Sequence, residues 1–425
     1  GGFERVIDLL LELFGSHCFH IISQSVGLDL GGHDDLLTVL EERRKRYEDV
    51  CKNAEIPGTV SFSLAYLPAN LSVCVPPKVG CTFWKRVIYF LHGDTDRGPD
   101  NDVLPVSSPF DVSRMHVHFV GAWENKTLDF HDAHERALLF STTRVLFSRD
   151  PWSRLWSGFV DKFVLPDSWL DHGLAILRMR LRMHSKGPKK RSLLESLILK
   201  SGGHDSFINM TRKKNFQCAD DVSFAEFLYY ALVVNPNAHW SPVHEVCSPC
   251  VLKPQVLGKM ETFSQDASYV LGTSGLGHFL QNYSHAGHVT NELQTILDYH
   301  MHLWPRRQDK LHNCLDILGM GRRLWLAFQY NGYIPLTTSF PEQVLKTELI
   351  NVTIVEARDR VLSHVNAAAS KERLSESEWV DLRRRIMVSA YRAVPRELLE
   401  LVQKRFKWDF ELFDYDPEPV DIFHH

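Results

Sequence analysis

Leu71 to Leu91, LSVCVPPKVGCTFWKRVIYFL, is the stretch whose reading decides the fold. Leu71, Val73 and Val75 alternate as they would in a half-buried strand. Pro76 and Pro77 end the ladder, because proline donates no N–H. Lys78, Val79, Gly80, Cys81 and Thr82 make a short loop with a small residue at its bend, and Trp84, Val87, Ile88 and Leu91 return at helical spacing. A loop that feeds a helix N-terminus gathers free N–H groups at the positive end of a dipole, which suits an anion. Lys78 adds a point charge and Thr82 a hydroxyl. The spacing is not the G-x-x-x-x-G-K-[ST] of a Walker loop, so on this stretch alone an ordinary strand-to-helix turn competes evenly with an anion site.

A second stretch shifts the balance. Arg144 to Phe163 reads RVLFSRDPWSRLWSGFVDKF. Val145, Leu146 and Phe147 form a buried-strand run with Arg149 at its end. Asp150 suits an N-cap and Pro151 the first helical position. Trp152, Leu155, Trp156, Phe159 and Phe163 make one apolar helix face. Strand, arginine, cap and helix again build an anion site at the C-terminal edge of a sheet, where open α/β sheets bind ligands. Arg149 can fork two bonds onto a phosphate, and Ser157, two turns into the helix, can add a hydroxyl. The plainer reading pairs Arg149 with a core carboxylate.

PKVGCTFWKRV followed by FSRDPWSRLWSGFVDKF resembles the paired cofactor motifs of Golgi carbohydrate sulfotransferases, in particular the chondroitin and dermatan 4-O-sulfotransferases and the HNK-1 sulfotransferase group. The resemblance implies an α/β, P-loop-like sulfotransferase fold with a central, mostly parallel sheet flanked by helices. It implies 3′-phosphoadenosine 5′-phosphosulfate (PAPS) as sulfuryl donor, a glycan or glycosaminoglycan acceptor and no metal. Lys78, Val79, Gly80, Cys81, Thr82 and Trp84 fall on the motif that holds the 5′-phosphosulfate. Arg149, Asp150, Pro151 and Ser157 fall on the motif that holds the 3′-phosphate. Asn237 to Pro242, Cys247 to Cys250 and Gly258 to Thr262 resemble the family's middle block, and Trp408 to Asp416 its C-terminal signature. Phe83 and Ser148 stand where asparagine and valine are expected. The organisation that follows is a stem over 1–42, a PAPS-binding core over 43–272, an insertion over 273–385 with no counterpart in the family, and a closing segment over 386–425.

Composition bounds the partners. The 425 residues carry a net charge of −4 with pI about 6.6, so an anionic partner must be met by local patches, and no usual nucleic-acid module is present. The chain begins at Gly1 and has no apolar run of 18 residues. The type II anchor implied by the family would lie upstream, with the enzyme in the Golgi lumen. Eight cysteines are too sparse for a disulfide scaffold. Five N-x-[ST] sequons, at Asn70, Asn125, Asn209, Asn282 and Asn351, exceed the roughly two expected by chance and suggest a lumenal protein. His239, His244, Cys247 and Cys250 fall within twelve residues, a spacing open to zinc. In an oxidising lumen disulfides are the better reading for the two cysteines.

Elsewhere, Glu41 to Arg46 reads as a charged, solvated helix face, Met115 to Val120 as a short strand and Asp129 to Leu139 as a helix whose HDAHE lacks zinc spacing. A weak helix is expected near Val6 to Leu13. Ser223 to Glu226 is a capping box. Arg178 to Arg191 carries seven basic residues and no acid, either a rim for an acidic polysaccharide or a solvated loop. For sulfuryl transfer, Lys78 is the group expected to steady the leaving oxygen. His239, beside a Trp240 able to stack on a sugar, is the leading general base, with His118, His134 and Glu261 as alternatives. The competing classes are a glycan- or nucleotide-binding protein that has lost catalysis, and an ATP-dependent phosphoryl transferase. The missing Walker spacing and the lack of an Mg²⁺-binding carboxylate cluster argue against the second.

Overall fold

The computed structural model describes residues 33–424, apart from 62, 94–95, 98–102, 105–107, 115, 119–122, 124, 166–168, 202–220, 281–284, 312–313 and 372–373. The expected helix near Val6 to Leu13 and the Asn209 and Asn282 sequons lie outside these residues.

A five-stranded sheet has β1 Ser63–Tyr66, β2 Leu71–Cys74, β3 Thr127–Leu128, β4 Thr143–Ser148 and β5 Val256–Lys259, in the order β3-β1-β2-β4-β5. β2, β4 and β5 are parallel, with Val73 opposite Val145 and Val145 opposite Val256, while β1 runs antiparallel to β2 and β3. The parallel register sets Cys74 beside Leu146 and Ser148 beside Lys259, so the segments leaving β2, β4 and β5 all emerge at one edge. That edge is where an open α/β sheet offers its ligand crevice.

β2 is buried on both faces rather than alternately exposed. Its two small polar residues are accommodated: the Ser72 hydroxyl lies 2.6 Å from that of Thr142, and Cys74 is disulfide-bonded to Cys247. A second disulfide joins Cys51 to Cys250, which bears out the disulfide reading over zinc ligation. Cys314 is also disulfide-bonded, and Cys81 is a free thiol.

The helices used below are α1 His33–Asn53, α2 Cys81–Leu91, α3 Ala133–Ser141, α4 Pro151–Phe159, α5 Trp169–Ser185, α6 Phe224–Tyr229, α7 Phe263–Thr273, α8 His285–Leu311, α9 Ile317–Tyr330, α10 Ile354–Ala369, α11 Glu376–Arg392, α12 Arg396–Arg405 and α13 Lys407–Phe413. α4 continues as a π turn, Val160–Val164. Two cores form. One covers the sheet with Trp84, Val87, Phe147 and Val270. The other is helical and joins Trp156, Phe159 and Phe227 to Leu324, Phe328 and Val361, so α9 and α10, within residues 273–385, share the core of α4. Arg323 fastens this contact by donating to the Phe163 and Val164 carbonyls at 3.1 and 3.0 Å.

Two local expectations are corrected. α1 runs straight through the boundary expected at residue 42, and Arg43 is no solvated charge. It donates to the buried Asp266 at 2.8 Å and to Thr262 at 3.0 Å, because α1 lies against β5 and α7. His116–His118 is a single 3₁₀ turn rather than strand, since Ser113 accepts from His116 N at 3.1 Å and turns the chain there. The remaining residues of that expected strand, 115 and 119–120, lie outside the described ones.

Cys74 and Cys247 are both about 1% exposed, so the disulfide that pins the end of β2 has no solvent-side substitute. A Cys247→Ser variant is expected to lose about 2–4 kcal/mol of stability, read by urea denaturation.

Candidate active site

The first loop is shaped by backbone geometry that few residues accept. Lys78 has φ +74° and Gly80, the N-cap of α2, has φ +83°. A Cβ at Gly80 would sit 2.5 Å from the Phe263 ring, so both the dihedral and the space require glycine. The Lys78 carbonyl accepts from Arg149 Nη1 at 3.2 Å, which couples the two expected motifs directly.

Lys78 Nζ lies 3.1 Å from Asp161, in the π turn after α4. The same carboxylate receives Arg114 at 3.1 Å and Lys162 at 3.4 Å, and all four side chains are under a fifth exposed. Asp161 thus gathers three cations at the first loop. Burial lowers the Lys78 pKa, Arg114 and Lys162 lower it further, and Asp161 partly restores it. Burial by itself would raise the Asp161 carboxyl, but Lys78, Lys162 and Arg114 outweigh that and hold it well below the usual carboxylate range. Thr82 Oγ1 is 3.1 Å from His118 Nε2. Desolvation, then repulsion from Arg114 and Lys85, lowers the His118 pKa well below normal and keeps the ring neutral.

The second motif forms as read. Asp150 caps α4 by accepting from Ser153 N at 3.0 Å and Ser153 Oγ at 2.8 Å, and Pro151 takes the first helical position. Among the described residues Arg149 has no carboxylate within ion-pair distance, so the plainer pairing with a core acid is absent. Burial, and next the charge of Arg383, bring its pKa down to about 10. Ser157 is half-buried and its hydroxyl bonds to no described residue. Glu261 accepts from Asp150 N at 3.1 Å and from the Tyr415 hydroxyl at 2.9 Å, while Tyr415 also meets Ser148 at 3.1 Å. The C-terminal signature thus closes onto the end of β4. Its Asp409 is structural: it accepts from Val243 N at 2.6 Å and from His244 N and Nδ1 at 3.0 and 2.7 Å.

Arg154 draws the middle block in. It is 1% exposed and donates to Pro77 O at 3.0 Å, to Ala238 O at 2.8 Å and to Ser241 O. This sets the loop bearing His239 beside the first loop. His239 N and Nδ1 both lie against Asn237 Oδ1, at 2.9 and 2.7 Å. Trp240 is no sugar platform. It is 2% exposed, donates to Asn235 O at 2.7 Å and packs among Phe163, Phe227 and Tyr230. Trp84 is likewise a core residue, fully buried against Phe147, and Val79 is fully buried, so only its main chain can reach a ligand.

Of the alternative bases, His134 is exposed in the first turn of α3 and Glu261 is committed to Asp150 and Tyr415. The basic run is partly consumed: Arg180 pairs with Glu226 and Asp221, Lys186 with Glu195, and Arg191 caps carbonyls of α5, leaving Arg178, Arg182, Lys189 and Lys190 exposed. A cavity of about 870 Å³ lies on the outer face of α11, lined by Leu336, Leu382, Arg385 and Val388, and takes no part in the two loops. Sequence reading missed Arg114, Arg154, Asp161 and Lys162. For the last three the signal was charged residues set among the aromatics of α4 and the turn after it, on a face too apolar to leave them solvated, whereas Arg114 carries no such local signal.

The sulfotransferase family matches residues 68–296, just over half of the chain, and that span contains both loops and the Arg154 clip. The chain belongs to the sulfotransferase family. It is 30% identical to human carbohydrate sulfotransferase 9 over 253 residues, 55% of this chain and 47% of that protein. It is 30% identical to mouse carbohydrate sulfotransferase 12 over 257 residues (54% and 55%), and 28% identical to rat carbohydrate sulfotransferase 11 over 265 residues (59% and 63%). The chain therefore spans about half to three-fifths of the length of these relatives. No solved structure matches it.

Arg154→Leu removes a buried guanidinium shared by three main-chain carbonyls. It is expected to cost about 3 kcal/mol in urea denaturation, and the surviving folded protein is expected to bind nucleotide weakly because the first loop loses its support.

Proposed function

We propose that this sulfotransferase moves a sulfuryl group from PAPS to a hydroxyl of a glycan, a chondroitin or dermatan GalNAc or a related terminal sugar. The observation that carries the reading is the convergence at one sheet edge of two cationic loops, with Arg149 lacking a carboxylate partner among the described residues and Lys78 gathered with Arg114 and Lys162 around one carboxylate. These are the properties of a site for a ligand with anions at both ends. The first loop, through Lys78, the main chain of Val79 and Gly80, Cys81 and Thr82, would hold the 5′-phosphosulfate. Arg149 and Ser157 would hold the 3′-phosphate, with Asp150 and Pro151 shaping the turn that carries them. The names of the relatives support a carbohydrate acceptor.

The donor supplies the sulfuryl group. Lys78 stabilises negative charge as it develops on the departing oxygen, and a base takes the proton of the acceptor hydroxyl. His239 is that base in this proposal, brought beside the first loop by Arg154. His118 is the second candidate, favoured by its bond to Thr82 and its neutral ring. Disulfides at Cys51–Cys250 and Cys74–Cys247 suit an oxidising compartment, and we place the enzyme in the Golgi lumen, attached through an N-terminal segment. No described helix is long and apolar enough to cross a membrane.

The test is transfer of labelled sulfate from PAPS to a panel of chondroitin, dermatan, terminal-GalNAc and glucuronate-terminated acceptors. Lys78→Ala is expected to lower kcat by about a hundredfold, on the order of 3 kcal/mol of barrier. His239→Ala is expected to lower kcat with nucleotide affinity retained. Near-normal turnover in His239→Ala with a collapse in His118→Ala would transfer the role to His118. Nucleotide binding without turnover on any acceptor would favour a binding protein instead.

A further inference from the structure

Arg383 lies outside the span that the family matches and outside every motif read in the sequence. It precedes Met387 and Tyr391 on α11 at the i, i+4, i+8 spacing that puts three side chains on one helix face. That face is docked on α4. Tyr391 donates to Trp152 O at 2.8 Å, the two rings lie 5.3 Å apart, and Met387 is 3% exposed in the core that holds Trp156. Trp152 is three residues past Arg149. The charge of Arg383 reaches Arg149: after burial it is the strongest influence on that guanidinium.

The Arg383 side chain is held in place rather than trailing into solvent. Its guanidinium lies 4.6 Å from the centre of the Trp379 ring, which is itself fixed by a bond to Asn331 O at 3.1 Å. Gly332, at φ +76°, approaches so closely that a Cβ there would be 2.9 Å from Arg383 Cγ. Burial lowers its pKa, and Tyr333 and Glu292 offset this from a distance. The carboxylates facing Arg149 are Glu261 and Asp150, and both are engaged as acceptors elsewhere. Neither arginine has a carboxylate within 4.0 Å among the described residues. A second desolvated cation carried by a helix packed on α4 adds to the cost of the buried Arg149 charge, and a bound anion removes it. A phosphate monoester, close to doubly charged at neutral pH, is such an anion.

We propose that Arg383 completes, with Arg149, a two-arginine clamp on the 3′-phosphate of the donor nucleotide, a role that rests on the PAPS reading above. The clamp would give this chain a specificity determinant supplied by its own helix α11.

The test compares two nucleotides by calorimetry: 3′-phosphoadenosine 5′-phosphate, and adenosine 5′-phosphosulfate, which lacks the 3′-phosphate. Arg383→Gln is expected to weaken binding of the first about tenfold or more and to leave the second unchanged. Arg383→Lys, which keeps the charge but not the fork, is expected to recover part of the loss. Thermal melts verify that both variants fold. Equal loss for both nucleotides would make Arg383 a packing residue, and wild-type affinity for both would remove it from the site; either overturns the clamp while leaving the donor reading intact. A wild-type protein with no preference for the 3′-phosphorylated nucleotide would overturn both.

Discussion

The structure depends on the burial of the Arg154 guanidinium. It lies at 1% exposure with no carboxylate partner among the described residues and gives its protons to Pro77, Ala238 and Ser241 carbonyls instead. Burial brings its pKa down to about 10, so it stays charged at neutral pH. Burying a cation is costly unless its donors are satisfied, and here satisfying them requires three separate segments to meet. The first loop and the middle block are in register because α4 delivers one arginine between them. Asp409 does the complementary job from the other side, accepting three bonds from Val243 and His244 and fastening α13 to the same block.

With the scaffold locked in this way, the ligand edge is left rich in positive charge. Lys78, Arg114 and Lys162 share one carboxylate, and the charge of Arg383 helps to lower the Arg149 pKa. Under the proposed reading, an anionic ligand bound at this edge would offset the cost of holding these like charges together. Asp161 has a part in this. It holds Lys78, Arg114 and Lys162 together beside the first loop.

Much of this was legible in the sequence because it was local. The strand of Val145 to Phe147, the Asp150 cap, Pro151, the glycine bend and the Ser223 capping box all follow from residues within a turn of one another. The two disulfides were foreseen in kind, and their pairing waited on the fold. The failures were long-range. Trp240 beside His239 reads as a sugar platform, but the aromatic core of α4 and α6 absorbs it. Trp84 reads as a contact residue and is packed beneath the loop. Arg43 reads as surface and meets Asp266, 223 residues away. The Lys78–Asp161 and Arg149–Arg383 relations join positions whose spacing carries no local signal. Residues 273–385 read as an insertion because no motif marks them, although their helices share the core of α4.

The central claim is that two loops at one sheet edge form a single site for a nucleotide with a 3′-phosphate. The most direct measurement is calorimetric titration of the purified protein with 3′-phosphoadenosine 5′-phosphate, with ADP as control. The account expects binding in the micromolar range, about −8 kcal/mol, that ADP does not reproduce and that Arg149→Ala weakens. A folded protein that binds neither nucleotide, or binds both equally, would contradict it.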